Sequence, residues 1–166
     1  MIEHETTGGA EVQAVMRRLA QSGAAMAPVM GVIAGIMQDA VEENFEQEGR
    51  PKWAGLKAPV NPRRVGGKIL QDRGHLANSF VQRHDATSAT VGTNVIYARI
   101  QNDGGQTGPH EIRPRYAKAL AFNGRVVKKV NHPGSKIPAR PFMLLTPGDE
   151  AEIVHAVSDY LSKIIG

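Results

Sequence analysis

The chain has 166 residues, of which 41% are hydrophobic and 22% are charged, so it is long enough and apolar enough to fold around its own core. It contains no cysteine, which excludes disulfides, a cysteine-ligated zinc site and a thiol nucleophile. No apolar run approaches the roughly 20 residues that a membrane-spanning helix needs, and the first residues lack the pattern of a signal peptide. The composition therefore predicts a soluble cytoplasmic protein without a membrane contact.

Charge is distributed unevenly along the chain. The net charge is −6 over residues 1–48, +13 over residues 49–145 and −3 over residues 146–166, which gives +4 for the whole protein. A basic middle between acidic ends predicts either a polyanionic partner or copies that meet head to tail through opposite charges. Charged faces that only keep the protein soluble are the simpler explanation.

Residues 10–48 are predicted to be helical. A short amphipathic helix over Glu11–Gln21 is followed by a longer helix from Ala24 to about Gln47, in which apolar residues recur every three or four positions. Pro28 falls in the first turns of the longer helix, where a missing N–H costs least. Several of the apolar residues are Met, and at this spacing a Met stripe favours a core face over a promiscuous binding groove.

The C-terminal residues 147–165 predict another amphipathic helix. It is preceded by Thr146-Pro147-Gly148-Asp149, which has the form of a capping box in which Thr caps the helix and an acid follows three residues later. Acidic residues lie in the first turns, where the helix dipole favours negative charge. The helix is therefore predicted to begin at residue 147.

Residues 69–145 contain short alternating segments that are typical of antiparallel strands. Asn123-Gly124, between two of these segments, is a strong hairpin signal. The predicted fold class is α+β, with an antiparallel sheet of four to five strands packed against the N-terminal and C-terminal helices in a single domain, 1–166. The predicted elements of this region are strands at Ser79–His84, Ala89–Thr93, Glu111–Arg113, Ala119–Phe122 and Arg125–Val130 and a short helix at Tyr97–Gln101.

A long basic loop, residues 49–68, separates the helical part from the sheet region. It is rich in Pro, Gly and basic residues, so it has little apolar surface to offset the entropy of ordering and is predicted to be mobile. Trp53 and Leu56 are its apolar exceptions. Trp53 is either an anchor of the loop or a contact with a partner.

The sequence offers little that points to catalysis. The six histidines lack the spacing of metal ligands, and no phosphate-binding loop or nucleophile motif is present. His110 and Glu111 are adjacent and would lie on opposite faces of a strand. We therefore expect no enzymatic activity, cofactor, metal or small-molecule substrate, and a hydrolase that uses His110 or His132 is the remote alternative.

The basic middle of the chain also fits contact with nucleic acid, and the pI of about 9.6 meets the usual criterion. No DNA- or RNA-binding motif is recognisable, however, and aromatic residues make up only 5% of the chain, too few for base-stacking platforms. Any DNA contact would therefore be with phosphates and independent of sequence.

Four motifs occur in a fixed order over residues 53–145. In that order and spacing they resemble the phage virion morphogenesis family, the group of the Mu G-like proteins and of the tail-completion proteins of contractile-tailed phages. Gln101 stands where the family usually has His, which favours a structural role there over a catalytic one. The four motifs are W-x-x-L at Trp53–Leu56, I-L-x-x-x-G-x-L-x-x-S at Ile69–Ser79, V-G-T-x-x-x-Y-A-x-I at Val91–Ile100 with Gly104-Gly105 following, and I-P-A-R-P-F at Ile137–Phe142.

The segment Val130–Gly134 is also similar to minor tail or neck proteins of lambdoid phages. The resemblance implies a structural virion protein of the neck or tail-completion type. Such a protein forms a ring, by family resemblance a hexamer, at the head-proximal end of the tail and helps join tail to head. It implies contacts with itself and with tail-tube and neck or connector proteins. The expected location is the virion, and the host cytoplasm during assembly.

A sequence-independent DNA-binding module is the main alternative to this structural role. Under either hypothesis, exposed basic and apolar residues of the loop and the sheet region are the candidates for contact with a partner. The candidate interface residues are Trp53, Leu56, Arg63, Arg64, Lys68, Arg115, Lys128, Lys129 and Arg140.

Overall fold

A computed structural model describes residues 25–56, 67–122 and 124–165, together with the isolated positions 13, 14 and 17. Those three positions are helical, and the rest of the predicted first helix lies outside the described residues. The second half of the predicted basic loop, residues 57–66, also lies outside them.

Helix α1 spans Ala27–Glu46 and confirms the long helix predicted from the apolar periodicity. Pro28 lies at its start, as expected for a residue that cannot donate an intrahelical hydrogen bond. The chain leaves the helix through Gly49, which has a φ of 100°, and a Cβ there would lie 2.4 Å from the Trp53 ring. The buried face of α1 consists of Val29, Met30, Ile33, Ala34, Ile36, Ala40, Val41, Asn44 and Phe45.

Helix α3 spans Pro147–Ile165 and packs against the first half of α1. The predicted capping box is present: the Thr146 N–H donates to Asp149 Oδ2 (2.7 Å) and the Asp149 N–H donates to Thr146 Oγ1 (3.3 Å). The two helices share an apolar cluster of Val29, Met30, Ile33, Ile36, Ile153 and Val157.

Strands β1, Val81–His84, and β2, Ala89–Gly92, form the hairpin predicted around residues 85–88. The Asp85 carboxylate closes the turn by accepting hydrogen bonds from the N–H groups of Thr87 and Ser88. The N–H of Thr87 first, then the hydroxyl groups of Ser88 and Thr87, lower the pKa of Asp85 to about 2. The hairpin packs against α1, opposite α1 glycines that leave room for its side chains.

A second apolar cluster lies between the C-terminal half of α1, the β hairpin and the segment before α3. Phe45 is at its centre, stacked on Phe142 with ring centroids 5.1 Å apart and edge-on to Trp53 at 5.6 Å. Four of the eight aromatic residues of the chain are thus concentrated in one place. The cluster consists of Val41, Phe45, Trp53, Leu76, Phe80, Val91, Val95, Ala98 and Phe142.

Residues 105–137 form a nested hairpin, which we call the arm. It follows the short helix α2, Ala98–Asp103, and returns to the body at residue 138. Its strands pair antiparallel from the outside inwards, with the predicted turn at Gly124 in the middle. The three ladders are β3 (Gly105–Gln106) with β8 (Lys136–Ile137), β4 (His110–Ile112) with β7 (Val130–His132), and β5 (Leu120–Phe122) with β6 (Arg125–Val127).

The α+β class and the positions of the helices are confirmed, but the sheet of four to five strands is not. Within the described residues the strands form four separate two-stranded ladders. The hairpin β1–β2 packs on α1, and the arm is interrupted at Pro109, Pro114 and Pro133, which cannot donate to a ladder. The strand predicted over Arg125–Val130 is also divided: it ends at Val127, and a new one begins at Val130.

Candidate interaction surfaces

The segment 138–145, which contains most of the I-P-A-R-P-F motif, is held by two buried amides. Asn44 Nδ2 of α1 donates to the carbonyls of Phe142 (3.0 Å) and Leu144 (2.8 Å). Asn102 Oδ1 of α2 accepts from the N–H of Phe142 and from that of the next residue, both at 3.0 Å. The non-ladder backbone of this segment therefore has side-chain partners, as buried backbone groups require.

Trp53 and Arg140, two candidate interface residues, lie inside the subunit, with only 8% and 6% of their surfaces exposed. Trp53 Nε1 donates to the Pro141 carbonyl (3.0 Å), and Arg140 Nε donates to the Ala54 carbonyl (3.2 Å). These bonds tie the beginning of the basic loop to the segment 138–145. Of the two alternatives for Trp53, the structure shows the anchor, and the exposed apolar residue of the W-x-x-L motif is Leu56.

Arg50 joins the two long helices, a role that the sequence analysis missed. Its guanidinium pairs with Glu43 and with Asp149 (Nη2–Oδ2 3.0 Å) and donates to the Ala40 carbonyl (3.0 Å). Burial raises the pKa of Asp149, but hydrogen bonds from Thr146 and Arg50 outweigh it and hold this pKa below its usual range. In the sequence Arg50 is one charge of the basic loop, and nothing local indicates its partners.

Of the other basic candidates in the loop, the structure describes Lys68. It is exposed and donates to the Glu46 carbonyl at the end of α1 (3.0 Å). A cation at this position satisfies an unpaired helix carbonyl and complements the helix dipole. Arg63 and Arg64 lie outside the described residues. The structure therefore places Lys68 beside acidic α1 and leaves the other two as predictions.

The arm carries the largest exposed positive charge in the described part of the chain, with seven Lys or Arg and one acid. The acid, Glu111, pairs with Lys129 (2.7 Å) and with Arg113, and these contacts lower its pKa. The candidates Arg115 and Lys128 are also exposed, and the Arg115 guanidinium lies 5.4 Å from the Tyr116 ring centroid. Three predicted interface residues, Arg115, Lys128 and Lys129, thus lie together on the exposed surface of the arm.

His110 and His132, the residues of the alternative hydrolase hypothesis, face each other across the β4–β7 ladder. Their rings stack at 5.1 Å, and each Nδ1 has a backbone partner: Gly108 O at 3.1 Å for His110 and the Gly134 N–H at 3.0 Å for His132. Across residues 25–56, 67–122 and 124–165, no group of three or more His, Asp or Glu is arranged to hold a metal ion.

Comparison with known proteins agrees with the motifs. Residues 8–162 match the model of the phage virion morphogenesis family. The chain is also 38% identical over 165 residues to the Mu-like prophage FluMu G protein 2 of Haemophilus influenzae, in a match that covers 99% of each chain. No solved structure was found to match, and none of the described helices is long and apolar enough to cross a membrane. The chain belongs to the phage virion morphogenesis family.

Proposed function

We propose that this protein is a non-enzymatic structural component of the neck or tail end of a phage or prophage particle, where it completes the tail and helps join it to the head. The observation that carries the proposal is the match to the virion morphogenesis family over nearly the whole chain. The fold supports it, since the family motifs lie in the packed core and at turns and leave the basic arm exposed.

Copies of the protein would assemble through unlike surfaces. Helix α1 carries four acids and no basic residue, whereas the arm has a net charge of +6. Contacts between two different patches are heterologous, and they close into a ring when the rotation permits. A ring with six copies, at the head-proximal end of the tail, is the arrangement that the family resemblance favours.

The proposal is tested by deleting the gene from an inducible prophage and imaging the particles. We expect filled heads and tails that are not joined, and a tagged copy should label the head-proximal end of the tail after complementation. Normal particles without the protein, or a label elsewhere in the virion, would contradict the proposal.

A second test concerns the basic loop. Arg63, Arg64 and Lys68 changed together to Glu should abolish head–tail joining while self-association is kept, because we propose that they face an acidic neck or tail-tube surface. The matched control is Arg73→Glu, Arg83→Glu and Arg99→Glu together, three exposed cations outside the loop. Equal effects of both variants on joining would show that only overall charge matters.

Sequence-independent DNA binding is the second candidate, and the exposed cations of the arm are the observation that favours it. Phosphate contacts would make the affinity fall steeply with salt. If the loop variant loses DNA binding and still joins heads to tails, the DNA hypothesis explains the loop better than the neck hypothesis.

A further inference from the structure

The end of the arm, residues 116–128, combines exposed cations with exposed apolar side chains, and we call it the arm tip. Lys118, Arg125 and Lys128 are exposed and have no acidic partner among the described residues. Tyr116 and Val126 are 91% and 72% exposed. A two-stranded hairpin with an uncovered apolar surface is marginally stable alone in water. The tip therefore has the chemistry of a surface that is covered in an assembly.

Helix α1 has a complementary exposed surface next to the face on which the β1–β2 hairpin packs. Asp39, Glu42 and Glu46 are exposed and lie within roughly 60° of one another around the helix, given 3.6 residues per turn. Val32, seven residues before Asp39, lies on the same side and is 52% exposed. We call these four residues the acidic stripe. None of its carboxylates has a basic side-chain partner within the described part of the chain.

A cavity of about 530 Å³ lies beside the stripe. Its walls include Gln38, Glu42, Glu46 and Lys68, and Lys68 donates to the Glu46 carbonyl at one end of the stripe. Gln38 Nε2 donates a hydrogen bond to Glu42 Oε1 (3.0 Å). This bond orients the Gln38 amide so that its Oε1 atom points away from Glu42. That oxygen is the one buried side-chain nitrogen or oxygen atom in the described residues without a hydrogen bond. The walls of this cavity carry two carboxylates and one ammonium group, so negative charge remains in excess there and favours a partner that brings Lys or Arg side chains.

We propose that the arm tip of one copy docks on the acidic stripe of the next copy, with Val126 near Val32 and the tip cations against Asp39, Glu42 and Glu46. A second copy is the occupant because this chain supplies both halves of the contact, in charge and in apolar residues. Within one subunit the arm strands make their main contacts with each other, which leaves the tip available. The proposal rests on the proposed ring, in which each copy offers one tip and one stripe.

Cysteine cross-linking tests the contact directly, because the wild-type chain has no cysteine. Val126→Cys protein is mixed with Val32→Cys protein and treated with a short bismaleimide, both in solution and on assembled particles. The control partner is Val81→Cys, at a position that is 58% exposed on β1 and outside the stripe. We expect the 126–32 product to exceed the 126–81 product by about tenfold, since docking raises the effective concentration of the pair. Equal yields in both settings would overturn the proposal.

Charge exchange tests the electrostatic part. A tip variant (Lys118→Glu, Arg125→Glu, Lys128→Glu) and a stripe variant (Asp39→Lys, Glu42→Lys, Glu46→Lys) should each fail to self-associate in sedimentation experiments, because like charges would meet. An equimolar mixture should assemble again, since each variant then meets an opposite charge. That rescue also shows that both variants fold. A mixture that stays monomeric while wild type assembles would overturn the proposal.

DNA retention by the same variants separates the competing role of the tip. If tip reversal abolishes DNA retention but leaves the 126–32 cross-link intact, the charged residues serve nucleic acid and the electrostatic part is overturned. Different results would refute the proposed interface and the proposed function. A specific cross-link in a protein whose deletion leaves normal virions would refute only the function, and absence of the cross-link in a protein required for joining would refute only this interface.

Discussion

The segment 138–145 and the arm adjoin each other in the sequence, and both contain basic residues and prolines, yet they have opposite environments. In the segment, Arg140 is buried and its guanidinium binds backbone carbonyls of the loop. In the arm, Lys118, Arg125 and Lys128 are exposed to solvent. Positive charge in this chain therefore occurs in two settings, as a hydrogen-bond donor inside the fold and as exposed charge on the arm.

The difference depends on what surrounds each segment. Proline prevents both from joining a wide sheet, but the segment 138–145 is enclosed by α1, α2 and the Trp53 loop. The two helices supply amide side chains, and the loop supplies an indole N–H and backbone carbonyls, to its polar groups. The arm has only its own second strand. Substitutions in the two regions should therefore affect different properties, stability in the first and assembly in the second.

Truncation of an apolar side chain should give the largest difference in stability between the two regions. Phe142→Ala removes a 1% exposed ring from the centre of the aromatic cluster and is expected to lower the free energy of unfolding by about 3–5 kcal/mol. Val126→Ala, in the arm, should change it by less than about 0.5 kcal/mol. Urea denaturation of both variants checks this. Similar losses in the two variants would show that the arm belongs to the cooperative core.

The buried amide should have the next largest effect. Asn44→Ala leaves the carbonyls of Phe142 and Leu144 without their side-chain donor, and we expect a loss of about 2–3 kcal/mol. Asn131→Ala, at an exposed amide of the arm, is the matched control and should be neutral. Thermal unfolding with both variants measures the difference, and a neutral Asn44→Ala would mean that water replaces the amide.

The pair formed by Arg50 and Asp149 should make stability depend on acid pH. Because the folded-state pKa of Asp149 is below its ordinary value of 3.8, its contribution is complete above that value and is lost as the pH falls through the folded-state pKa. Asp149→Asn should cost about 2 kcal/mol at pH 7, since it leaves partly buried Arg50 without this charge. The difference in free energy of unfolding between Asp149→Asn and wild type should become smaller as the pH falls through the folded-state pKa of Asp149. Asp159→Asn, at an exposed site on α3, is the control and should cost less than about 0.5 kcal/mol at pH 7.

The smallest effect on stability should come from neutralising the arm tip. Lys118→Gln, Arg125→Gln and Lys128→Gln together should change the free energy of unfolding by no more than about 0.5 kcal/mol, because the side chains are exposed. If the tip binds DNA phosphates, the logarithmic salt slope of DNA retention should fall by roughly 0.9 for each phosphate that the tip no longer neutralises. An unchanged slope would favour the protein–protein role of the tip. A large loss of stability in this variant would show that the arm, like the segment 138–145, contributes to the stability of the fold.

Local patterns were enough to predict the elements that depend on neighbouring residues. The apolar periodicity predicted α1 and α3, the Thr146–Asp149 spacing predicted the capping box, and Asn123-Gly124 predicted the tip hairpin. The motif order also predicted the family that the comparisons show. Each of these features is encoded within a few residues or in residue identity, so no knowledge of distant contacts was required.

The candidate interface was only partly predictable, because a residue type does not reveal whether its site is enclosed. Trp53 and Arg140 looked like contacts for a partner and are buried in their own subunit, whereas Arg115, Lys128 and Lys129 are exposed as expected. Asn44, a lone amide on an apolar helix face, was the available sign of the buried network. Its partners lie about a hundred residues away in the chain, at sequence separations of 98 and 100.

The sequence by itself determined the two long helices, the hairpin turns, the charge division and the family. Only the tertiary structure decided that the strands form separate two-stranded ladders, that Arg50 joins α1 to α3, and that the basic residues divide between a packed segment and a projecting arm. The physical reason is that propensity and periodicity act over a few residues. Burial, ion pairing and strand partnership are set by which distant segments meet, and that choice is made by the packing of the whole chain.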